Sequence, residues 1–295
     1  MKDQFKKIFE ALAIDCKHAV IRPLCGGRMH EVWQVDNYVV KRLRHADKFE
    51  ESQSVARKFL ASGIPAVVPL DLNQKSVIEI DGELFMVFPF IEGKSITVAD
   101  ITTEEVETVA HLLRRMHQLK LVDPFIKPFE LCFVTSDFGS HASPMIDLII
   151  KKYHEYPLPK NVVLSHRDLD FQNILWGQEG LQIIDWDLAG LISPVADLLC
   201  TALYWSVVSA NRFSFKNFRE FLEAYGDIGG LQSHFKGAFY WVLTYWLDWA
   251  LYNIRLGGAE QACEAAYCIR VIRHLMSIQP DLENIVKEHK PEDTF

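Results

Sequence analysis

The pattern of hydrophobic and polar positions divides the chain into a strand-rich first part and a helix-rich second part. In the first part, short runs of β-branched and aromatic residues bounded by turn residues predict strands at 19–24, 31–35, 38–43, 76–80 and 83–88. The Asp81-Gly82 pair between the last two runs indicates a hairpin turn. One amphipathic stretch, 47–62, predicts a helix that stops at Gly63.

Helical periodicity dominates the second part. It predicts helices at 102–118, 144–153, 197–209, 214–225, 232–255 and 260–278. Two short apolar runs, 162–164 and 181–184, interrupt these helices as predicted strands. The segment 89–93 breaks the pattern, so we place a boundary there, between a first lobe (1–91) and a second lobe (92–295). This arrangement is an α+β fold, with a small antiparallel sheet and one main helix before a larger, mainly helical lobe.

Composition and charge narrow the class of protein. The 295 residues are 49% hydrophobic and carry a net charge of −8, which argues against a nucleic-acid partner. The most apolar stretch, 237–254, contains Asp248 and is short for a membrane span. Six scattered cysteines without a C-x-x-C pair suggest neither a zinc site nor a disulfide framework. We expect a cytoplasmic protein, and nothing in the sequence indicates a protein partner.

Two motifs in the second lobe carry the candidate chemistry. The first lies in 164–176 and matches H-R-D-L-x-x-x-N from His166 to Asn173, the pattern of a phosphoryl-transfer catalytic loop. The second, 183–187, reads I-I-D-W-D. Phosphoryl transfer from a magnesium nucleotide needs one carboxylate for the attacking hydroxyl, and an amide oxygen with a second carboxylate for the metal.

The spacing assigns one role to each of three residues. Asp168 follows an apolar run and can accept the proton of a substrate hydroxyl; capping of a turn is the alternative. Asn173 presents a carbonyl oxygen, which suits Mg²⁺, although an Asx-turn would also use it. Asp185 ends a buried strand, where a carboxylate is costly unless it is paired or metal-bound, so we expect it to be the principal magnesium ligand.

Three further side chains near these motifs have open roles. His166 is expected to tie the loop to the backbone near Asp185. Asp170 lies inside the loop and contacts either substrate or solvent. Asp187 holds a second metal or a water, contacts the substrate, or starts the next turn.

Two features of the first lobe, a lysine in a strand and a Gly-Gly turn, indicate a site for the nucleotide phosphates. Lys41 lies in an apolar strand, facing either solvent or the nucleotide phosphates, and Glu51 is its best helix partner, with Glu50 as the fallback. The Gly26-Gly27 turn could bring backbone amides to phosphates or could simply join two strands.

We expect the residues that contact the substrate to lie on the helices after the second motif. Trp205 lies in the predicted helix 197–209, and Asp248 lies in 232–255 among aromatic residues. Rings with a carboxylate suit an ammonium group, although a buried aromatic helix is the alternative. Asp248 needs a partner, which is either a basic residue such as Arg255 or a ligand.

Taken in order, these motifs resemble those of the aminoglycoside phosphotransferase and choline kinase family, a small-molecule branch of the protein-kinase-like fold. The resemblance covers most of the chain, from the Gly-Gly turn to the D-W-D motif. A protein kinase usually has D-F-G there, followed by an activation segment. Here 188–197 leads directly into a predicted helix, which leaves little room for a peptide platform.

The resemblance implies a bilobal protein-kinase-like enzyme that uses ATP or GTP with Mg²⁺. It places the nucleotide against Phe88, Phe90, Ile91 and Ile184. It also implies transfer of the γ-phosphate to a hydroxyl of an aminoglycoside-, choline- or similar amine- or sugar-like compound, with Asp197 supporting the fold. The alternatives are a catalytically silent nucleotide-binding regulator and a protein kinase.

Overall fold

The computed structural model describes residues 2–15, 20–24, 30–44, 49–178 and 180–290. It divides the chain into two compact units. Unit 1 is Met1–Ile96 with His166–Gly190, and unit 2 is Thr97–Ser165 with Leu191–Phe295. The first crossing lies close to the predicted boundary at residue 91. The difference is that segment 166–190, which we expected in the second lobe, groups with unit 1.

Unit 1 is built on a five-stranded antiparallel sheet. In sheet order the strands are β1 (Ile21–Pro23), β2 (Glu31–Val35), β3 (Tyr38–Leu43), β5 (Glu83–Pro89) and β4 (Ile78–Ile80). Helix α1 (Lys2–Ala11) buries Phe5, Ile8 and Phe9 against apolar side chains of the sheet. Helix α2 (Phe49–Ala61) is the helix that the 47–62 periodicity predicts.

Backbone hydrogen bonds explain why segment 166–190 belongs to unit 1. It contains a hairpin of β7 (Ile174–Gly177) and β8 (Gly180–Ile183). The Ile183 amide donates to Pro65 O at 2.7 Å, and the Val67 amide donates to Ile183 O at 2.8 Å. These non-local bonds leave no trace in the hydrophobic pattern, so the sequence alone cannot predict them.

Unit 2 is mainly helical. Its helices are α3 (Thr103–Gln118), α4 (Pro144–Glu155), α5 (Pro194–Tyr204), α6 (Phe215–Tyr225), α7 (Gly229–Leu256), α8 (Ala259–Ser277) and α9 (Gln279–Glu288). Its short strands are β6 (Val163–Ser165), β9 (Gly190–Ile192, at the boundary with unit 1), β10 (Val207–Ser209) and β11 (Arg212–Phe213). None of the described helices has the length and apolar character needed to cross a membrane.

The predicted helix 197–209 is wrong at both ends. Proline at the first helical position starts α5 at Pro194, and the helix ends at Tyr204. The residues after Trp205 form β10, which pairs with β11. Trp205 itself is 1% exposed, so its ring belongs to the core of unit 2 and offers no surface to a substrate. Periodicity does not separate a short apolar strand from a buried helical turn, which explains the error.

A buried polar network connects α3, α5 and α6. The His117 ring has Nε2 2.8 Å from Asp197 Oδ2 and Nδ1 2.8 Å from the Tyr225 hydroxyl. Burial raises the pKa of Tyr225, and the negative charge of Asp197 adds to the effect, so the phenol remains a hydrogen-bond donor. Asp197 is thus a fold-supporting residue, as we expected.

Close packing between α7 and the end of α4 requires a glycine. A β-carbon on Gly237 would lie 2.9 Å from Tyr156 O, closer than such atoms approach in proteins. We expect Gly237→Ala to destabilise the protein by about 1–3 kcal/mol, although alanine favours a helix. Urea denaturation of this variant and of Gly229→Ala checks the prediction. Gly229 is a matched control because its added carbon makes only an ordinary 3.4 Å contact with Asp227. Equal stability of the two variants would contradict the packing argument.

Candidate active site

The β7–β8 hairpin brings the two sequence motifs together. Ile174 pairs with Ile183 in the antiparallel ladder, and the Ile184 amide donates to Asn173 O at 3.0 Å. The residue before β7 is Asn173, and Asp185 lies two residues after β8. Antiparallel pairing therefore places the two predicted metal ligands at the same end of the hairpin.

Asn173 fixes the predicted base. Its side-chain Nδ2 donates to Asp168 O at 2.8 Å and to Asp168 Oδ2 at 2.9 Å. Asp170 shapes the same loop, because its Oδ1 accepts a hydrogen bond from the Gln172 amide at 2.7 Å. The H-R-D-L-x-x-x-N spacing thus closes a loop in which the asparagine reaches back to the aspartate.

His166 connects the catalytic loop to the second motif. The ring is fully buried, and its Nε2 lies 3.0 Å from Ile184 O. The Asp168 amide donates to the other ring nitrogen at 3.3 Å. The imidazole therefore donates through Nε2 and accepts through Nδ1. The predicted structural role of His166 is confirmed.

Asp185 lies at the turn after β8 and reaches Lys41. Its backbone is left-handed, with φ of 59°, a region that aspartate tolerates better than most residues. Its Oδ1 accepts a hydrogen bond from Lys41 Nζ at 2.7 Å, and its side chain is 49% exposed. One carboxylate oxygen therefore remains available for a ligand.

Lys41 is buried on β3 between two carboxylates. Its ammonium donates to Asp185 and to Asp187. Burial alone would lower the pKa of Lys41, but the charges of Asp185 and Asp187 outweigh it and raise that pKa. The lysine is therefore charged at neutral pH. It does not face solvent, so the alternative of an exposed strand lysine is wrong.

The partner predicted for Lys41 is not the one that the structure provides. Glu51 is exposed on α2 and makes no ion pair with Lys41 among the described residues. Glu50, the fallback, accepts hydrogen bonds from the amides of Ser76 and Val77. The helical stripe shared by Glu51, Val55 and Phe59 predicted the contact, but α2 presents only the apolar members of that stripe to the core.

Asp187 and His30 complete this polar cluster. Asp187 is enclosed, with a side chain only 12% exposed, so it is not a surface for substrate. His30 Nε2 lies 3.3 Å from Asp187 Oδ2. Burial would raise the pKa of Asp187, but His30 and Lys41 together hold it below its ordinary value. His30 could not be predicted as a site residue, because a single histidine before a strand carries no motif.

The electrostatics of Asp168 differ from those of Asp187. Burial raises the pKa of Asp168 to about 8, the nearby charges of Asp170 and Asp185 add to this, and the Asn173 hydrogen bond opposes it. No lysine or arginine forms an ion pair with Asp168 in the described part of the chain. The carboxylates of Asp170 and Asp185 thus lie close enough to Asp168 to act on it, and a cation bound among these side chains would favour the charged form of Asp168.

The donor atoms around this charge suit magnesium. Asn173 uses its amide nitrogen for Asp168, which leaves its carbonyl oxygen as a ligand, and Asp185 retains one oxygen. Within the described ranges, no group of three or more His, Cys, Asp and Glu side chains is arranged to hold a metal. A two-residue oxygen set matches Mg²⁺, which usually keeps water and phosphate oxygens as its other ligands.

The remaining predicted nucleotide contacts also lie in unit 1. Phe88, Phe90 and Ile91 are partly buried where β5 ends, and the Phe90 amide donates to Asn37 O at 2.8 Å. Ile184 is half-buried beside Asp185. The Gly26-Gly27 turn lies outside the described residues. These contacts therefore remain predictions.

A family match over most of the chain decides the class of protein. Residues 20–240 match the model of the phosphotransferase enzyme family (APH). The chain belongs to this family. The protein is thus a phosphotransferase with an alcohol group as acceptor, and the predicted resemblance is confirmed. No curated protein sequence matches the phosphotransferase significantly.

Solved structures confirm the fold of the phosphotransferase. A choline/ethanolamine kinase family protein from Mesorhizobium loti is similar with a TM-score of 0.62 and 18% identity, over 97% of this chain and 100% of that chain. The amicoumacin kinase hAmiN, in complex with AMP-PNP, Ca²⁺ and Ami, is similar with a TM-score of 0.67 and 15% identity, over 97% of this chain and 95% of that chain. A spectinomycin phosphotransferase in complex with ADP and spectinomycin is similar with a TM-score of 0.60 and 16% identity, over 96% of this chain and 97% of that chain. The predicted protein-kinase-like α+β fold is therefore correct.

Proposed function

We propose that this phosphotransferase moves the γ-phosphoryl group of ATP or GTP to a hydroxyl of a small amine- or sugar-like molecule. Asp168 is the base, and Asn173 and Asp185 are the Mg²⁺ ligands. The observation that carries the proposal is the pair of hydrogen bonds from the Asn173 amide to Asp168. They hold the base against a metal ligand, and the hairpin brings Asp185 to the same end.

Asp168 would orient the acceptor hydroxyl and take its proton. Its Oδ2 is committed to Asn173, whereas its Oδ1 makes no hydrogen bond with the described residues and is available to the hydroxyl. Phosphoryl transfer depends mainly on positioning and charge stabilisation. A base held by two hydrogen bonds within one loop supplies that positioning.

Asn173 and Asp185 would hold Mg²⁺ through the carbonyl oxygen and the remaining carboxylate oxygen. When bound, the metal supplies positive charge that neutralises the phosphate oxygens as the γ-phosphoryl group departs. Lys41 would add a second positive charge at the phosphates, and its buried position keeps that charge fixed. The nucleobase would lie against four apolar residues, Phe88, Phe90, Ile91 and Ile184. The phosphates would lie near Gly26 and Gly27.

The short passage between the second motif and α5 bears on the kind of acceptor. Residues Trp186–Leu188 form a single 3₁₀ turn, β9 follows, and α5 begins at Pro194. So short a passage provides no platform for a peptide, which supports a small acceptor. The similar structures are named as kinases of choline or ethanolamine, amicoumacin and spectinomycin, which are amine- or sugar-like compounds.

Asp248 is our proposed contact for a basic group of the acceptor. It lies on α7, half-buried, and burial raises its pKa, with only the charge of Arg255 opposing the shift. Among the described residues no hydrogen bond or ion pair satisfies this carboxylate. The rings of Trp241 and Tyr245, both buried on the preceding turns of α7, stack on each other. An ammonium group would supply the missing charge. Asp170 also remains a proposed contact.

A screen of acceptors tests the proposed function. Wild-type protein and Asp168→Ala are incubated with ATP or GTP, Mg²⁺, and a panel of hydroxyl-bearing amines, sugars and antibiotics, and nucleotide consumption is measured. We expect acceptor-dependent consumption by the wild type alone. Nucleotide binding without consumption for any compound would favour the silent regulator, and consumption only with hydroxyl-bearing peptides would favour a protein kinase.

A further inference from the structure

The buried Lys41 requires a permanent counter-charge. It is 7% exposed on β3, the central strand of the sheet, where it pairs with Val32 on β2 and with Met86 on β5. An ammonium in such surroundings is costly unless a carboxylate stays beside it. The identity of that carboxylate decides what holds the lysine when a nucleotide and a metal bind.

The first turn of α2 does not provide this carboxylate. Glu50 is committed to the amides of Ser76 and Val77, at 3.2 and 2.9 Å. Glu51 is exposed. The contacts of Lys41 in the described structure run instead to the second motif, at Asp185 and Asp187.

Asp187 suits a permanent anchor better than Asp185 does. Its side chain is 12% exposed against 49% for Asp185, so metal and phosphate reach Asp185 more readily. The turn that carries Asp187 is also fixed by its neighbour Trp186. That indole is 1% exposed, donates to Ile183 O at 3.0 Å, and packs 5.5 Å from the Phe59 ring on α2.

His30 supports Asp187 from a second side. Its Nε2 is 3.3 Å from Asp187 Oδ2, the oxygen that also accepts from Lys41. The imidazole is itself buried, with its ring edge-to-face against Phe49 at 5.5 Å between centroids. The Asp187 carboxylate therefore lies between a lysine and a histidine that are both fixed by packing.

We propose that Asp187, supported by His30, is the positioning residue that holds Lys41 for the nucleotide phosphates, in the role that sequence reasoning gave to Glu51. The inference rests on the proposed function, because Lys41 must contact those phosphates. In this arrangement Asp185 exchanges its contact with Lys41 for the metal, while Asp187 keeps the lysine in place.

Metal-free nucleotide binding separates an anchor from a metal ligand. A carboxylate that only binds metal repels the phosphates when metal is absent, so its neutralisation leaves ADP affinity unchanged or improves it. Neutralising the anchor of Lys41 weakens ADP affinity, because the lysine loses its position. ADP titrations in EDTA would compare wild type, Asp187→Asn, Lys41→Met and the double variant, with Glu79→Gln on the exposed face of β4 as the charge-matched control.

We expect Asp187→Asn to weaken ADP binding by about tenfold or more, the scale of a lost hydrogen bond to a charged group. It should add no loss in the Lys41→Met background, because it acts through the lysine. His30→Ala should show a smaller loss, because it removes the ring that lies 3.3 Å from Asp187 Oδ2, and His30→Gln should recover part of it by placing a polar amide in the same space. The Mg²⁺ concentration for half-maximal activity should change in Asp185→Asn more than in Asp187→Asn.

Two distinct results would overturn the inference. If Lys41→Met weakens ADP binding and Asp187→Asn does not, or if Glu51→Gln reproduces the loss, the anchor is elsewhere while the proposed function stands. If Lys41→Met leaves ADP binding unchanged, the proposed phosphate contact of Lys41 fails, and the inference fails with it.

Discussion

Replacing Asp168 with asparagine is expected to lower kcat by about 10²–10⁴-fold, the usual contribution of a positioned base. Asparagine has nearly the same shape, but it cannot take the hydroxyl proton. The nucleotide KM should change by no more than about threefold, because Asp168 contacts the acceptor and not the nucleotide. Steady-state kinetics with the acceptor found by the screen gives both constants.

Two controls make this result specific to the base. Glu79→Gln removes one negative charge from an exposed strand position and should leave kcat unchanged. Thermal unfolding of Asp168→Asn should match that of the wild type, so that lost activity is not lost structure. A kcat within a factor of a few of the wild-type value would remove Asp168 from the chemistry.

His117→Leu is expected to cost about 3 kcal/mol or more of unfolding free energy, because a buried carboxylate left without its hydrogen-bond donor costs more than the roughly 1–3 kcal/mol of a neutral group. Leucine fills similar space but leaves the Asp197 carboxylate without its 2.8 Å donor and the Tyr225 hydroxyl without an acceptor. Asp197 is 1% exposed and Tyr225 is partly buried, so water does not readily replace the histidine beside the carboxylate. Urea denaturation monitored by circular dichroism measures the loss.

Tyr225→Phe is the matched comparison for this network. It removes one neutral hydrogen bond and leaves the His117–Asp197 contact in place, so its cost should be about 0.5–1.5 kcal/mol. If the two variants lost equal stability, the contact between His117 and Asp197 would carry no special weight. The network would then be ordinary core packing.

The parts of the fold that local patterns control were predictable from sequence. Strands β2 and β3 have the predicted bounds, because their β-branched and aromatic runs end at turn residues. Helix α3 begins at Thr103 as its capping residues indicate, with Thr102 and Glu105 forming a capping box. The loop from His166 to Asn173 was predictable because its chemistry fixes the spacing of its residues.

The parts that depend on tertiary contacts were not predictable in the same way. The pattern on α2 favoured Glu51 as the partner of Lys41, yet two aspartates separated from the lysine by more than a hundred residues take that place. The same limit applies to His30, which gains its role only from the fold. The aromatic pattern of the later helices favours Trp205 as a substrate contact, but packing places its ring in the core.

Transfer of the terminal phosphate to a small hydroxyl compound is the central claim, and product analysis tests it most directly. Wild type and Asp168→Asn are incubated with γ-radiolabelled ATP, Mg²⁺ and the acceptor from the screen, and the labelled products are separated. We predict label in a phosphate monoester of the acceptor with the wild type, and almost none with the variant. Label found only in inorganic phosphate or on protein, or equal labelling of the acceptor by both, would contradict the account.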